Sequence, residues 1–177
     1  VWQRGTIFSN ISNLAYCADR WYIGISGTSP TTVYNHDTIY GADTKTLVIE
    51  GATGNTTSQL IQRIESANCR GFSAGDKITL SFNSSLYNLA SKDLTVIIKN
   101  ASVADDFSTT ENTISSSVAL TTTKTRFEIT FTIPSDSYRK GIQIMLIPNG
   151  GVDLGVSVIF SNVQLEEGSV ATPFEQR

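Results

Sequence analysis

The sequence has few of the residues that build covalent scaffolds and metal sites. It contains one histidine, two cysteines and 16% charged residues in a chain of 177. Two cysteines are too few for a disulfide framework, and the spacing between Cys17 and Cys69 does not fit a zinc motif. We therefore expect either two buried free thiols or a single disulfide at these positions.

The chain also lacks an excess of positive charge and any long apolar run. Its formal net charge is −3, so its overall charge gives no basic footprint for a nucleic acid or an anionic lipid. No apolar stretch approaches the roughly 20 residues that a helix needs to cross a bilayer. We expect neither a nucleic-acid partner nor membrane insertion.

The usual arrangements of catalytic residues are missing as well. The adjacent pairs Asp105-Asp106 and Glu166-Glu167 would diverge on an extended chain, whereas glycosidase carboxylates face each other across a cleft. His36 has no G-x-S-x-G motif to supply a serine for it to activate. The sequence therefore predicts a protein that is not an enzyme and needs no catalytic cofactor.

What the sequence does contain is a series of β-strand patterns. Polar and apolar residues alternate over 77–83 and 126–133, which is typical of strands with one buried face, and Pro134 ends the second. Shorter runs of β-branched residues over 47–49, 94–98 and 142–147 indicate more fully buried strands.

Two further segments refine the strand assignment. The apolar residues of 156–165 change phase, so we expect a β-bulge at Ser161 and Asn162. Residues 59–65 fit either a strand or one side of a helix, and we interpret them as a strand. With eight or nine such segments and no convincing long helix, the sequence predicts an all-β antiparallel sandwich, a jelly roll, as a single domain over 1–177.

Two long segments, 26–43 and 100–117, interrupt these patterns and are predicted to be loops that carry recognition. The first is rich in aromatic and polar side chains, a mixture that suits a sugar, although its tyrosines could instead pin the loop to the sandwich. The candidate ligand contacts are Tyr34, His36, Asp37 and Tyr40, with Tyr87 and Tyr138 added from other turns.

Four short stretches follow one another in an order that is typical of a known domain. They are Trp2-Gln3-Arg4-Gly5-Thr6, Asp19-Arg20-Trp21, Gln62-Arg63-Ile64-Glu65 and the closing NVQLEEGSVATPFEQR over 162–177. With these landmarks the chain resembles the C-terminal domain of bacteriophage tail-fibre and other virion appendage proteins. That domain is similar to the jelly rolls of carbohydrate-binding modules.

The resemblance implies roles for several of these landmarks. The tail over 171–175 would fold back as a clasp, with Pro173 fixing the turn and Phe174 filling an apolar gap. Trp21 would be a core residue supported by an ion pair between Asp19 and Arg20. Residues 59–65 would be a strand on which Arg63 and Glu65 form either a cross-strand charge network or ligand contacts.

The resemblance also implies a function and a location. The chain would be the distal, receptor-binding part of a longer tail fibre in the virion, would bind a bacterial surface glycan without enzymatic activity, and would form homotrimers and contact other virion proteins. Two alternatives stay open: a structural capsid decoration or head-fibre protein, and a carbohydrate-binding module of a polysaccharide-degrading enzyme.

A structural calcium ion is left open. Scattered aspartates could contribute ligands, but no D-x-D-x-D loop is present. Related jelly rolls often place an acidic residue in the last strand for calcium, and here Asn162, a weaker ligand, stands near that position.

Overall fold

The computed structural model describes residues 7–9, 11–18, 20–30, 32–36 and 46–175. Within these ranges the chain forms β-strands and two short 3-10 turns, Ser66–Asn68 and Asp136–Lys140, and no helix there could span a membrane. The strands are β1 (Ile7–Ser9), β2 (Ala15–Ala18), β3 (Trp21–Gly27), β4 (Thr32–His36), β5 (Thr46–Glu50), β6 (Asn55–Glu65), β7 (Lys77–Tyr87), β8 (Ser91–Val103), β9 (Asp106–Thr121), β10 (Thr125–Thr132), β11 (Gly141–Pro148) and β12 (Ser157–Glu167).

The strands form two six-stranded sheets. Sheet A has the order β1-β4-β5-β12-β7-β10, and sheet B has the order β2-β3-β6-β11-β8-β9. The strand pairs of both sheets are antiparallel. This arrangement confirms the predicted antiparallel β-sandwich.

One hydrophobic core lies between the inner faces of the two sheets. Sheet A contributes Leu80, Phe82 and Phe160, and sheet B contributes Leu60 and Ile144, each at most 1% exposed. The ring centres of Phe82 and Phe160 lie 6.4 Å apart. Burial of such side chains stabilises the fold by roughly 1.5–3 kcal/mol each.

The strands predicted from alternation and from β-branched runs are confirmed. Residues 77–83 lie in β7, 94–98 in β8 and 142–147 in β11, and the ambiguous segment 59–65 forms the second half of β6. The predicted bulge is also present, because the register of β12 against β7 shifts between Ser161 and Gln164.

The predicted loop over 100–117 is wrong. Its first residues complete β8, and residues 106–117 belong to β9, which is the edge strand of sheet B. Most side chains of β9 are exposed or half-buried, so the sequence lacks the apolar alternation by which strands are recognised. The loop predicted over 26–43 is wrong in part, because it contains β4; residues 37–45 lie outside the described residues.

The tail after β12 lies against sheet A, but not in the way that was predicted. Arg126 Nη2 donates a hydrogen bond to the carbonyl of Thr172 at 2.6 Å, and Glu166 accepts from the amide of Thr172 at 3.0 Å. Phe174 is 39% exposed, so its ring does not fill an apolar gap. The clasp is therefore held by hydrogen bonds.

Asn55 joins three segments at one end of the sandwich. Its Nδ2 donates to the carbonyl of Thr28 at 2.7 Å, while its Oδ1 accepts from Ser58 Oγ at 3.0 Å and from the amide of Val152 at 2.8 Å. Asn55 is only 4% exposed. Because a buried amide needs its hydrogen bonds, this side chain fixes the connections that leave β3 and β11.

The two cysteines are buried free thiols, which decides between the two alternatives above. Burial raises the pKa of the Cys69 thiol to about 11. Since the thiolate is the reactive form, Cys69 is an inert core residue.

Candidate functional site

A cleft of about 460 Å³ lies on the outer face of sheet B. Strands β2, β3 and β6 form its floor, and the 3-10 turn after β6 and the hairpin turn between β8 and β9 form its end wall. The side chains that shape it are Tyr16, Arg20, Tyr22, Arg63, Asp105 and Phe107.

Arg63 lies between two aromatic rings at the centre of this cleft. Its guanidinium carbon is 4.9 Å from the ring centre of Tyr22 and 5.0 Å from that of Phe107. Gln143 Oε1 accepts hydrogen bonds from Arg63 Nε at 3.0 Å and from the Tyr22 hydroxyl at 3.1 Å. Stacking and hydrogen bonding together hold the guanidinium in one orientation.

Tyr22 is the buried part of the aromatic floor and Tyr16 the exposed part. Tyr22 is 4% exposed, and burial raises the pKa of its hydroxyl to about 12, so the hydroxyl stays a neutral donor. The Tyr16 ring meets it edge-on at 5.6 Å between centres and is 48% exposed. An exposed ring beside directed polar groups is the kind of surface on which a sugar can stack.

The hairpin turn that precedes Phe107 is fixed by Asp105. Its carboxylate accepts from the amide of Ser66 at 2.6 Å and from the Ser66 hydroxyl at 2.8 Å. The hydrogen bond from the Ser66 amide, followed by that from its hydroxyl, lowers the pKa of Asp105. A side chain at Gly141 would have its Cβ 2.9 Å from Phe107 Cζ, so glycine there leaves room for the ring.

The resemblance left two interpretations of Arg63, a charge network or a ligand contact. Within the described residues Arg63 forms no ion pair, and it stacks on aromatic rings inside the cleft. Trp21 is half-buried and packs against the core. Asp19 lies outside the described residues, so its ion pair with Arg20 stays a prediction.

Tyr34 and His36 lie on the other sheet. Both belong to β4 of sheet A, and their ring centres are 6.0 Å apart. The Tyr34 hydroxyl donates to Glu50 Oε1 at 3.3 Å, and burial, together with this carboxylate, raises the pKa of Tyr34. Asp37 and Tyr40 lie outside the described residues.

Tyr87 shares a face of sheet A with Tyr34. It is 61% exposed at the end of β7 and pairs with Ser157, which in turn pairs with Glu50, the hydrogen-bond partner of Tyr34. The structure thus brings Tyr34, His36 and Tyr87 onto one outer face, opposite the cleft. Whether they touch a ligand stays a prediction.

Tyr138 was wrongly included among the candidate ligand contacts. Its side chain is fully buried, and its hydroxyl donates to the backbone carbonyl of Asn112, with the carbonyl of Ile98 3.4 Å away. The 3-10 turn Asp136–Lys140, which has a turn-like sequence, directs this ring into the core. Tyr138 is a structural residue.

The sequence did not identify Tyr16, Tyr22 and Phe107 as site residues. Tyr16 and Tyr22 face each other only because β2 pairs with β3 in the observed register. Phe107 was placed in a predicted loop. The one sequence pattern that indicated this cleft was the alternation that places Arg63 and Glu65 on the same face of their strand.

The described residues contain no group of three or more histidine, cysteine, aspartate or glutamate side chains that could hold a metal ion. Calcium can also be bound by carbonyl and amide oxygens, so this finding does not test the structural calcium ion considered above.

No family profile and no curated protein matches the chain by sequence. Its fold is similar to the enzymatically active domain of tailspike protein 4 from bacteriophage CBA120, with a TM-score of 0.61, 15% identity and 90% coverage of this chain. The chain spans only 21% of the length of that solved domain.

Two carbohydrate-binding modules are similar over most of both chains. A CBM4 structure has a TM-score of 0.54 and 22% identity, covering 84% of this chain and 86% of its own. The CBM22-2 xylan-binding domain of Paenibacillus barcinonensis Xyn10C has a TM-score of 0.56 and 12% identity. The match covers 84% of this chain and 92% of that domain. The fold is therefore the jelly roll of carbohydrate-binding modules, as predicted.

Proposed function

We propose that this chain is a glycan-binding domain of a bacteriophage virion, and that it is the receptor-binding part of a tail fibre. The observation that carries the proposal is the cleft on sheet B, where the exposed ring of Tyr16 lies beside the fixed guanidinium of Arg63. Aromatic faces for C–H surfaces and directed donors for hydroxyl groups are what a sugar requires.

We propose that the domain binds its glycan without cleaving it. A glycosidase needs a carboxylic acid whose pKa is raised so that it can protonate the leaving oxygen. In this cleft the pKa of Asp105 is lowered, because the Ser66 amide and hydroxyl stabilise its charged form. The carboxylate serves to fix the hairpin turn.

A place in the virion is supported by the ordered landmarks of the sequence and by the fold likeness to a phage tailspike domain. In such a fibre the chain would be a homotrimer that also contacts other virion proteins. Three copies of a weak site would then bind a cell surface tightly through their high effective concentration.

The two alternatives predict other partners. A capsid decoration or head-fibre protein would bind virion proteins and no glycan. A carbohydrate-binding module would be fused to a catalytic domain and would bind that enzyme's polysaccharide. We further propose that no cofactor is needed; if a calcium ion is structural, adding EDTA will lower the melting temperature.

The outer face of sheet A is a second candidate binding surface. Tyr34, His36 and Tyr87 lie on it, and the neighbouring predicted contacts Asp37 and Tyr40 follow β4 in the chain. Tyr16→Ala therefore removes an exposed ring from the outer face of sheet B. Tyr34→Ala removes a half-buried ring from the outer face of sheet A.

The test compares three labelled proteins: the wild-type domain, the Tyr16→Ala variant and the Tyr34→Ala variant. Binding of each to intact bacteria is measured before and after enzymatic removal of surface polysaccharide. We expect binding to disappear with the polysaccharide and with Tyr16→Ala. If binding is lost in Tyr34→Ala but not in Tyr16→Ala, the binding site lies on sheet A instead. A folded oligomer that binds no bacterium and no purified surface polysaccharide would support the structural virion role instead.

A further inference from the structure

We infer that the glycan bound in the sheet B cleft is acidic, a polysaccharide whose carboxylate groups lie along a row of cations that crosses the strands. The inference rests on the proposed function and adds the ligand class to it.

The cations follow the register of three neighbouring strands. Arg63 on β6 pairs with Gln143 on β11, and Gln143 pairs with Lys99 on β8. Residues directly opposite each other in antiparallel strands share a face, so all three side chains lie on the outer face of sheet B. Two strand spacings separate Arg63 from Lys99, or about 10 Å.

Arg20 extends this row at its other end. It directly precedes Trp21, which pairs with Gln62, the neighbour of Arg63, and the Arg20 side chain lines the cleft. We call the three cations the cation row: Arg20, Arg63 and Lys99. The neutral side chain of Gln143 lies between Arg63 and Lys99. A concentration of positive charge is unexpected on a chain with a net charge of −3.

Within the described residues no carboxylate forms an ion pair with the cation row; Asp106 attracts Arg63 only from a longer distance, and its carboxylate accepts a hydrogen bond from the Ser108 amide. The ion pairs formed within the described residues join other side chains: Arg126 with Glu128, Arg139 with Asp136, and Lys140 with Glu111. Of the two acidic residues that line the cleft, Asp105 has both oxygens bonded to Ser66, and Glu65 lies at the end of β6, beyond the row.

Arg63 is prepared to bind an external anion. Its Nε is held by Gln143 and its plane by the two rings, whereas its terminal nitrogens have no hydrogen-bond partner within the described residues. A guanidinium fixed in this way presents paired donors that match the two oxygens of a carboxylate.

A parallel row of apolar side chains lies two residues away on the same face. Tyr16 pairs with Tyr22, Tyr22 with Ile61, Ile61 with Met145, and Met145 with Ile97. Tyr22 and Ile61 are only 4% exposed, so sugar rings can stack on the accessible members of this row, Tyr16, Met145 and Ile97, while their acidic groups reach the cation row. A glycan that runs across the strands can satisfy both rows at once.

The experiment measures binding of polygalacturonate, alginate and hyaluronate, each compared with its carboxyl-reduced form, by calorimetry at two salt concentrations. We expect at least one acidic polymer to bind and its reduced form to bind at least tenfold more weakly. Lys99→Gln should weaken binding about fivefold to tenfold. Lys124→Gln, which removes the same charge from the turn after β9, should leave binding unchanged.

The outcomes separate this inference from the proposed function. Equal binding of acidic and reduced polymers, binding of none of the three acidic polymers, or equal binding of poly-glutamate would overturn the acidic ligand. If Tyr16→Ala still abolishes binding to bacterial polysaccharide in these cases, glycan binding in the cleft stands. If Tyr16→Ala has no effect on any binding, the proposed function fails as well.

Discussion

The guanidinium of Arg63 stacks on the ring of Tyr22, with 4.9 Å between its central carbon and the ring centre, and both side chains bond to the same oxygen of Gln143. Tyr22 comes from β3, Arg63 from β6 and Gln143 from β11, so the contact joins three strands of sheet B. It places a fixed cation in the cleft.

Arg63→Lys should therefore weaken the site although it keeps the charge. Lysine cannot stack as a plane or donate through an Nε–H group, so we expect a loss of about 1 kcal/mol in stability and roughly fivefold weaker glycan binding. Thermal unfolding and calorimetry check the two effects. Arg70→Lys, at an exposed position, is the matched control; an equal effect there would contradict the role of Arg63.

Tyr138→Phe should lower stability and leave binding unchanged. The variant removes the hydroxyl that donates to Asn112, so we expect a cost of about 1–2 kcal/mol at neutral pH. Reduced glycan affinity in a folded Tyr138→Phe protein would show that this residue does belong to a binding site.

The same tyrosine gives a pH dependence. Burial raises the pKa of Tyr138 from 10.0 to about 12, so between these values the unfolded chain ionises while the folded one stays neutral. The free energy of unfolding should fall as pH rises from 10 to 12. In Tyr138→Phe the free energy of unfolding should fall less steeply with pH. Some fall should remain, because the pKa of Tyr22 is raised as well. If denaturant titrations give the same pH dependence for Tyr138→Phe and the wild type, this assignment is contradicted.

Glu166→Gln should loosen the C-terminal clasp. The carboxylate accepts from the hydroxyl and amide of Thr172, and the hydroxyl bond is the main cause of its lowered pKa. The neutral amide is a weaker acceptor, so amide exchange at Thr172 should become faster. Glu167→Gln, on the next residue, is the control and should leave that exchange rate unchanged.

The clasp should also respond to acid. Because the folded-state pKa of Glu166 lies below its ordinary value of 4.5, its contribution is present above that value and is lost as pH falls through the folded pKa. Protection of the Thr172 amide should therefore persist at neutral pH and decline in acid. Protection that is independent of pH would show that other contacts hold the tail.

Asn55→Ala should be the most destabilising of these variants. It removes hydrogen bonds to Thr28, Ser58 and Val152 in a site that is 4% exposed, so we expect a loss of about 2–4 kcal/mol in urea unfolding. Asn88→Ala loses one exposed bond to Gly155 and also places alanine at a left-handed position, φ 60°, so it should cost about 1–2 kcal/mol. Similar losses for both would contradict the role of Asn55.

The sandwich could be predicted because most of its strands bury one face. Residues 77–83 and 126–133 show this alternation directly; the first lies in β7 and the second, except for its last residue, in β10, both in sheet A. Strand β9 could not be recognised, because an edge strand with mostly exposed or half-buried side chains carries little apolar signal.

The cleft could not be predicted from local patterns. Its aromatic residues come from β2, β3 and the start of β9, and they meet only through the register of sheet B. Tyr138 was misassigned because the sequence around it is turn-like, whereas packing decides that its ring points inward. Side-chain direction in short turns depends on tertiary contacts.

The most direct test of glycan binding in the sheet B cleft is an NMR titration of the 15N-labelled domain with an oligosaccharide from the polysaccharide that it binds. We expect the largest amide shifts at Tyr22, Arg63 and Gln143, on three adjacent strands of sheet B. Shifts confined to Tyr34, Val48 and Tyr87 on sheet A, or no shifts at saturating oligosaccharide, would contradict the account.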